Sequence, residues 1–160
     1  MNAGAETIEA LLARVDQLES RQAIVNLASE YCHGFDKRDF ERFLAIWWED
    51  CVWNIGPPFG VFEGHAGVRE AVNDVLWPAW DESHHLATNN VVHFTGTDRA
   101  NAVCDVDCVG RLAGESICQI VGATYKDQLE RRDGIWRIRQ RDVTIHYFNP
   151  VNGTPLVAPG

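Results

Sequence analysis

Four long segments with β-strand character dominate the second half of the chain, and only short turn signals separate them. They run over about Leu86–Phe94, Ala102–Leu112, Ile117–Arg131 and Ile135–Phe148. The turn signals lie at 96–98, at Gly114 and at 132–134. Strands joined by tight turns pair antiparallel, because a parallel pair needs a long crossover. The sequence therefore predicts an antiparallel meander as the main sheet.

Helical patterns precede these strands. Apolar residues recur at helical spacing from Glu6 to Leu18 and again from Arg21 to about Phe35, and Ser20 is the candidate N-cap of the second helix. Asp39 is expected to cap a third helix, and a fourth is predicted from about Ala66 to Leu76.

The segments Cys51–Ile55 and Val61–Glu63 predict a hairpin around Gly56-Pro57-Pro58. Helices followed by a long meander indicate an α+β domain whose sheet curls around a cavity. We expect one domain over residues 1–160, with an N-terminal helix at 1–19 and an extended tail at 149–160.

Composition and charge argue against several classes of partner. The 160 residues carry 14 basic and 23 acidic side chains, a net charge of −9, which disfavours nucleic acid and anionic membranes as partners. No stretch approaches the roughly 20 apolar residues of a membrane-spanning helix, and the first twenty residues lack a cationic leader pattern. A cytoplasmic location is the expectation.

Cysteine usage and motif content argue against a disulfide framework and against a dedicated metal site. The five cysteines are an odd number without a CxxC pair, which is typical of buried thiols in a reducing compartment. The sequence has no zinc-ligand spacing, phosphate-binding glycine loop, nucleophile elbow or dinucleotide fingerprint. We expect no dedicated metal site.

Two histidines and one aspartate are candidates for proton transfer. In a strand only one of His84 and His85 can face inward, and histidine is the usual general base at neutral pH. Asp36 ends an apolar helix, where its charge opposes the helix dipole. A carboxylate that orients an imidazole explains this placement, and a turn-capping aspartate beside two surface histidines explains it equally well.

Other candidates are weaker on spacing alone. Tyr31 lies on the apolar side of its helix, as expected for a core aromatic with its hydroxyl at the rim. Arg141 follows Arg137 and Arg139 in alternation, which is typical of a solvated face, although an inward arginine there can hold a developing anion. The alternation around Cys108 predicts a small apolar face toward the cavity.

Several segments together resemble the SnoaL-like lyases and isomerases of the nuclear transport factor 2-like superfamily. They appear in the family's order from about Ser20 onward. They are Asp36-Lys37-Arg38, Ile46-Trp47-Trp48-Glu49-Asp50, Val75-Leu76-Trp77-Pro78, His85 with Thr88-Asn89, Glu130-Arg131-Arg132-Asp133-Gly134-Ile135-Trp136, and Asn149-Pro150 after Tyr147-Phe148. The resemblance implies a cone-shaped, curled antiparallel sheet with N-terminal helices, an apolar cavity, a homotrimer and catalysis without a cofactor.

The resemblance also assigns roles to single residues. His85 matches the family's general base, Asp36 its carboxylate partner and Arg141 the arginine that assists the departing group. At the position of Tyr31, dehydratases of the family carry a tyrosine and dehydrochlorinases a lysine, so the resemblance favours an oxygen leaving group. The expected substrate-binding residues are Trp77, Trp80, Cys108, Val121 and Tyr125.

The sequence thus predicts a lyase that removes a C–H proton from a small apolar, ring-containing substrate and eliminates water, halide or formaldehyde, with water preferred. An isomerase or cyclase that uses the same dyad stays open. So does a ligand carrier or assembly module of the same fold, or the small structural subunit of a ring-hydroxylating dioxygenase. A buried charge dyad disfavours the two non-catalytic alternatives, because an apolar ligand does not require it.

Overall fold

A computed structural model describes residues 7–151 as helices packed on one curled sheet. The helical elements are α1 (Ile8–Asp36), α2 (Phe40–Ala45), α3 (Gly64–Glu70), a π-helical segment (Ala71–Leu76) and α4 (Trp77–Ala79). The strands are β1 (Trp47–Gly56), β2 (Gly60–Glu63), β3 (Trp80–Gly96), β4 (Arg99–Leu112), β5 (Cys118–Arg132) and β6 (Ile135–Pro150). The predicted α+β class is confirmed. The part of the predicted tail beyond Val151 lies outside the described residues.

The first helix is continuous, so the predicted break at Ser20 is wrong. Thr7 caps α1 by accepting a hydrogen bond from the Ala10 amide at 3.2 Å. Ser20 is buried inside the helix, where its hydroxyl accepts from the Arg131 guanidinium at 3.3 Å. The apolar pattern changes face near Ser20, and no Gly or Pro interrupts the helix there.

The turn after α1 brings α2 against it. Asp39 caps α2 as predicted, because its carboxylate accepts from the Arg42 amide at 3.1 Å. A Cβ at Gly34 would lie 2.8 Å from the Phe43 backbone, so the close approach of the two helices requires glycine. This contact helps to fix the C-terminal end of α1, where Asp36 is located.

The sheet has the strand order β2-β1-β6-β5-β4-β3. Strands β3 to β6 form the predicted antiparallel meander, and β1 and β2 form the predicted hairpin. The pairing of β1 with β6 is parallel, so the sheet is mixed and not wholly antiparallel as expected. The intervening helices and strands give β1 the long connection that a parallel pairing requires.

Two register shifts along β6 decide which of its side chains face the helices. Gln128 pairs with Gln140 and Leu129 with Ile138, which leaves Arg139 as an extra residue in β6. A second shift leaves His146 extra. Each extra residue reverses the alternation that follows it. Arg141 therefore turns inward, which corrects its predicted grouping with Arg137 and Arg139 on one face.

The core lies between the inner face of the sheet and α1, α2 and the π-helical segment. Trp47, Trp53, Phe43 and Ile138 are essentially fully buried in it. Within residues 7–151 no helix is long and apolar enough to cross a membrane.

Candidate functional site

The inner face of the sheet and the helices enclose an apolar cavity. It contains about 630 Å³ of atom-free space, including the part that opens to solvent. Its aromatic lining residues are Tyr31, Phe35, Trp53, Phe59, Trp80, Tyr125 and Phe148. Among the described residues that line it there is no Asp, Glu, Lys or Arg, and His85 also lies in its wall. The cavity suits an uncharged, largely apolar molecule.

His85 and Asp36 form a closely bonded pair at the wall of the cavity. The two side chains are 9% and 5% exposed, and the Nδ1 atom of His85 lies 2.6 Å from Asp36 Oδ1. The backbone N–H of His85 donates to Asp36 Oδ2 at 2.7 Å. With Nδ1 facing the carboxylate, Nε2 is the ring atom available to a substrate. His84 is exposed, so the strand alternation separates the two histidines as predicted.

Asp36 is held as a carboxylate by its hydrogen bonds. Ser83 on β3 donates its hydroxyl to Asp36 Oδ1 at 2.8 Å. Burial by itself raises the pKa of Asp36. The hydrogen bonds from His85 and Ser83, and the positive charge that His85 can carry, outweigh this effect and bring the pKa below its ordinary value. Both carboxylate oxygens of Asp36 thus contact His85, and this pairing sets which ring nitrogen is protonated.

Two tyrosines face the cavity beside His85. The Tyr125 hydroxyl donates to the Tyr31 hydroxyl at 3.4 Å, which leaves the Tyr31 proton available to a further acceptor. The Tyr31 ring lies edge-on to the His85 ring, with centroids 6.0 Å apart. Burial raises the pKa of both phenols above the ordinary value, while the Arg141 charge opposes the rise. Both phenols therefore remain protonated hydrogen-bond donors near neutral pH.

Arg141 lies behind these rings and not in the cavity wall. It is fully buried, and its Nε and Nη2 atoms donate to the two carboxylate oxygens of Asp127 at 2.8 and 2.7 Å. Its guanidinium carbon lies 4.6 Å from the Tyr31 ring centre and 4.4 Å from that of Tyr125. Burial opposes its charge, but Asp127 raises the guanidinium pKa above the ordinary value, so Arg141 is a buried cation.

The remaining sequence candidates divide into two groups. Trp80, Cys108, Val121 and Tyr125 line the cavity with His85 and Tyr31. Trp77 is not among the described lining residues. Its indole N–H donates to the Phe35 carbonyl at 3.1 Å, so it braces the end of α1 from outside the cavity.

Sequence reasoning missed Ser83 and Asp127. Ser83 precedes the two histidines by one and two residues, so a β3 strand extended back to Trp80 would have placed it on the His85 face. Asp127 lies directly opposite Arg141 in the register of β5 and β6. That pairing depends on the extra residue Arg139, for which the sequence gives no signal.

Metal-ligand geometry is absent from the described part of the chain. Within residues 7–151 no three His, Cys, Asp or Glu side chains lie close enough together to hold a metal ion. The buried thiols nearest the dyad, Cys32 and Cys108, have pKa values raised by burial to about 11 and about 12. They are therefore protonated near neutral pH and poor nucleophiles.

Comparison with known proteins finds close relatives. The model of the SnoaL-like domain matches residues 16–142. Hexachlorocyclohexane dehydrochlorinase 1 of Sphingobium indicum is 36% identical over 149 residues, which cover 93% of this chain and 96% of that protein. The two chains therefore correspond over nearly their whole lengths.

Solved structures of related proteins have the same fold as this chain. The crystal structure of LinA, a hexachlorocyclohexane dehydrochlorinase, superposes with a TM-score of 0.86 at 35% identity, over 92% of this chain and 99% of that one. An NTF2-like protein with a cystatin-like fold from Novosphingobium aromaticivorans gives a TM-score of 0.77 at 23% identity, over 88% and 90% of the chains, and shows the shared fold. On this evidence the chain belongs to the SnoaL-like domain family.

Proposed function

We propose that this protein is a cofactor-independent lyase in which His85 removes a C–H proton from a small, uncharged substrate bound in the apolar cavity. The observation that carries the proposal is the 2.6 Å contact between His85 and Asp36 at the cavity wall. The dehydrochlorinase relatives are elimination enzymes, which supports the reaction class. An apolar ligand has no need of this pair, whose desolvation is costly.

The proton transfer follows from the geometry of the dyad. Asp36 accepts the Nδ1 proton of His85, so the lone pair on Nε2 takes the C–H proton. The C–H electrons form the new double bond, and the bond to the leaving group breaks with its electron pair. Asp36 stabilises the imidazolium that forms. The proton then passes from His85 to the departing group or to solvent.

The phenol pair supports an oxygen leaving group. Tyr31 is a neutral donor with its own proton unused by Tyr125, and it lies next to His85. Arg141 lies over both rings and opposes the rise in their pKa values, which makes each phenol a stronger donor. A strong donor in a dry cavity stabilises the negative charge that develops on a departing oxygen. Water is therefore the proposed leaving group.

Asp127 and Arg141 act as positioning residues in this scheme. Asp127 fixes the guanidinium with two hydrogen bonds, and the guanidinium acts on the substrate through Tyr31 and Tyr125. The family resemblance implies that Arg141 assists the departing group, and in this scheme that assistance is indirect.

The substrate class follows from the lining. Seven aromatic side chains and several aliphatic ones surround the space, and no Asp, Glu, Lys or Arg is found among the described lining residues. Such a surface favours a neutral ring-containing molecule. Halide loss is the second candidate reaction, because the dehydrochlorinase relatives are more than a third identical to this chain.

The test is an NMR screen in deuterated buffer with neutral alicyclic and aromatic compounds that carry a hydroxyl, halogen or hydroxymethyl group. Wild type is compared with His85→Ala and with the matched control His84→Ala at the adjacent exposed histidine. Loss of water that requires His85 and not His84 supports the proposal. Loss of halide or formaldehyde alone refutes the leaving group. Deuterium uptake with the skeleton retained indicates an isomerase, and saturable binding without chemistry indicates a carrier.

A further inference from the structure

One oxygen of the Asp36 carboxylate is shared by two side chains. The Nδ1 atom of His85 lies 2.6 Å from Asp36 Oδ1, and the Ser83 hydroxyl donates to the same oxygen at 2.8 Å. The backbone N–H of His85 donates to the other oxygen, Oδ2, at 2.7 Å. Ser83 therefore acts on the oxygen that faces the imidazole ring.

The β3 strand places both donors. Ser83 and His85 are two residues apart, so their side chains lie on the same face of β3 and approach the end of α1 together. The backbone bond from His85 to Oδ2 holds the Asp36 carboxylate in one orientation, in which Oδ1 faces both donors. The sharing of Oδ1 is thus set by the fold.

A shared oxygen is a weaker partner for each of its donors. The Ser83 hydrogen bond draws on the negative charge of Oδ1, and less of that charge is left to stabilise a proton on the His85 ring. Without this bond, Asp36 would attract the imidazolium more strongly, and His85 would keep its proton to higher pH. An imidazole that keeps its proton cannot remove a C–H proton. The hydroxyl therefore favours the neutral, working form of the base.

The ionisable groups on the cavity side of the dyad are neutral or already paired. The phenols of Tyr31 and Tyr125 are protonated near neutral pH, and so is the Cys108 thiol. The charge of Arg141 lies behind the tyrosine rings and is paired with Asp127. They leave the balance of charge at the dyad to the groups that bond to Asp36.

The ionisable groups on the outer side are mostly exposed to solvent. Two grooves reach Asp36 from outside, and their exposed ionisable residues are His33, Lys37, Arg38, Asp81, Glu82 and His84. The buried thiol of Cys32, which also lines one groove, is protonated near neutral pH. Solvent and salt screen exposed charges, whereas the bonds to Asp36 Oδ1 are partly buried. Within residues 7–151, the side chains that bond to Asp36 are those of Ser83 and His85.

We propose that Ser83 is a positioning residue for the general base. Its hydrogen bond to Asp36 Oδ1 limits the attraction between the carboxylate and the imidazolium, so that His85 acts as a base at lower pH than the Asp36–His85 pair alone would allow. This inference rests on the proposed function of His85 and adds what sets its working pH range.

A matched pair of variants tests the proposal in the full-length protein. Ser83→Thr keeps the hydroxyl, and Ser83→Val replaces it with a methyl group of similar size, so the pair differs in the hydrogen bond and hardly in shape. In Ser83→Val the acidic limb of the pH profile of kcat/KM should move to higher pH by roughly half a unit, about a threefold loss of rate on that limb. The plateau at higher pH should stay near that of Ser83→Thr, and Ser83→Thr should follow wild type.

Proton NMR of protein with isotope-labelled histidine tests the bond without turnover. The ring N–H resonance of His85 is identified by its absence from His85→Ala. A stronger, charge-assisted bond to Asp36 moves this resonance downfield, so it should lie farther downfield in Ser83→Val than in Ser83→Thr.

The two readouts separate this inference from the proposed function. Coincident acidic limbs or coincident ring N–H resonances in the two variants overturn the role of Ser83. A plateau that drops in Ser83→Val while its acidic limb stays in place overturns it as well, because that is the effect of a merely structural side chain. If wild type eliminates nothing from any compound, the proposed function fails, and the resonance alone decides whether Ser83 acts on the Asp36–His85 pair.

Discussion

The carboxylate of Asp36, at the last residue of α1, accepts hydrogen bonds from both the ring and the backbone N–H of His85 on β3, at 2.6 and 2.7 Å. The end of a helix and the start of a long strand are thereby held together at the cavity. Because the backbone bond fixes His85 relative to Asp36, the ring nitrogen that faces the carboxylate is set by the fold.

Substitution of His85 tests the general base. We expect His85→Ala to lower kcat on a confirmed substrate by roughly 10²- to 10⁴-fold, the usual contribution of a positioned base. His84→Ala on the outer face of the same strand should leave kcat near that of wild type. Steady-state kinetics of both variants check this. Retention of more than a tenth of wild-type turnover by His85→Ala would remove His85 from the role.

Stability at low pH tests the state of Asp36. Its pKa in the folded protein is below the ordinary value of 3.8, so its carboxylate stabilises the fold above about pH 3.8, and the contribution disappears as the pH falls through the folded pKa. Wild type should therefore exceed Asp36→Asn in free energy of unfolding at pH 7, and the gap should narrow toward pH 3. Urea unfolding measures this, with Asp74→Asn at an exposed position as the control for lost charge. A gap that widens on acidification contradicts the assignment.

Removal of the Tyr31 hydroxyl tests the leaving-group donor. Tyr31→Phe keeps the ring and its packing on Phe43. It should lower kcat for water loss by about tenfold or more. KM should change little, because the hydroxyl donor acts mainly in the transition state. Exchange of the substrate C–H proton with deuterated solvent should persist, because His85 and Asp36 are intact. If water loss is as fast in Tyr31→Phe as in wild type, another group assists the leaving oxygen.

Separation of Asp127 from Arg141 tests the buried ion pair. Asp127→Asn leaves a fully buried guanidinium without its carboxylate and should lower the free energy of unfolding by about 3–5 kcal/mol. Replacing both partners, in Asp127→Leu with Arg141→Met, should recover most of the loss, because no charge then remains buried. Denaturant unfolding of Asp127→Leu, Arg141→Met and the double variant, each compared with wild type, forms the cycle. Independent, additive losses would show that the two side chains do not act as a pair.

Thiol labelling tests the burial of the cysteines. Burial raises the pKa of Cys51, Cys104 and Cys32 to about 11 and that of Cys108 to about 12, whereas Cys118 is exposed. A maleimide at neutral pH should therefore add once to the native protein, at Cys118, and five times after unfolding in denaturant. Intact-mass spectrometry gives the count, and fast native labelling at Cys108 would indicate an open cavity wall.

Local sequence patterns determined much of the secondary structure of this protein and which side chains face inward. Alternation and turn residues predict the four long strands, Asp39 predicts the start of α2, and the pairing of His84 with His85 predicts one inward imidazole. Each of these depends on side chains a few residues apart, whose spacing directly sets the backbone conformation and the face exposed. The resemblance to known sequences added the partnership of Asp36 with His85.

Tertiary structure decided the rest. The extra residue Arg139 in β6 turns Arg141 inward and sets it opposite Asp127, although simple alternation predicts a solvated arginine. Continuity of α1 through Ser20 and the parallel pairing of β1 with β6 also depend on contacts between residues far apart in sequence. A register shift reverses every side chain beyond it, and its position depends on how the partner strand and the core fill space. The side-chain periodicity within one strand does not show where such a register shift occurs.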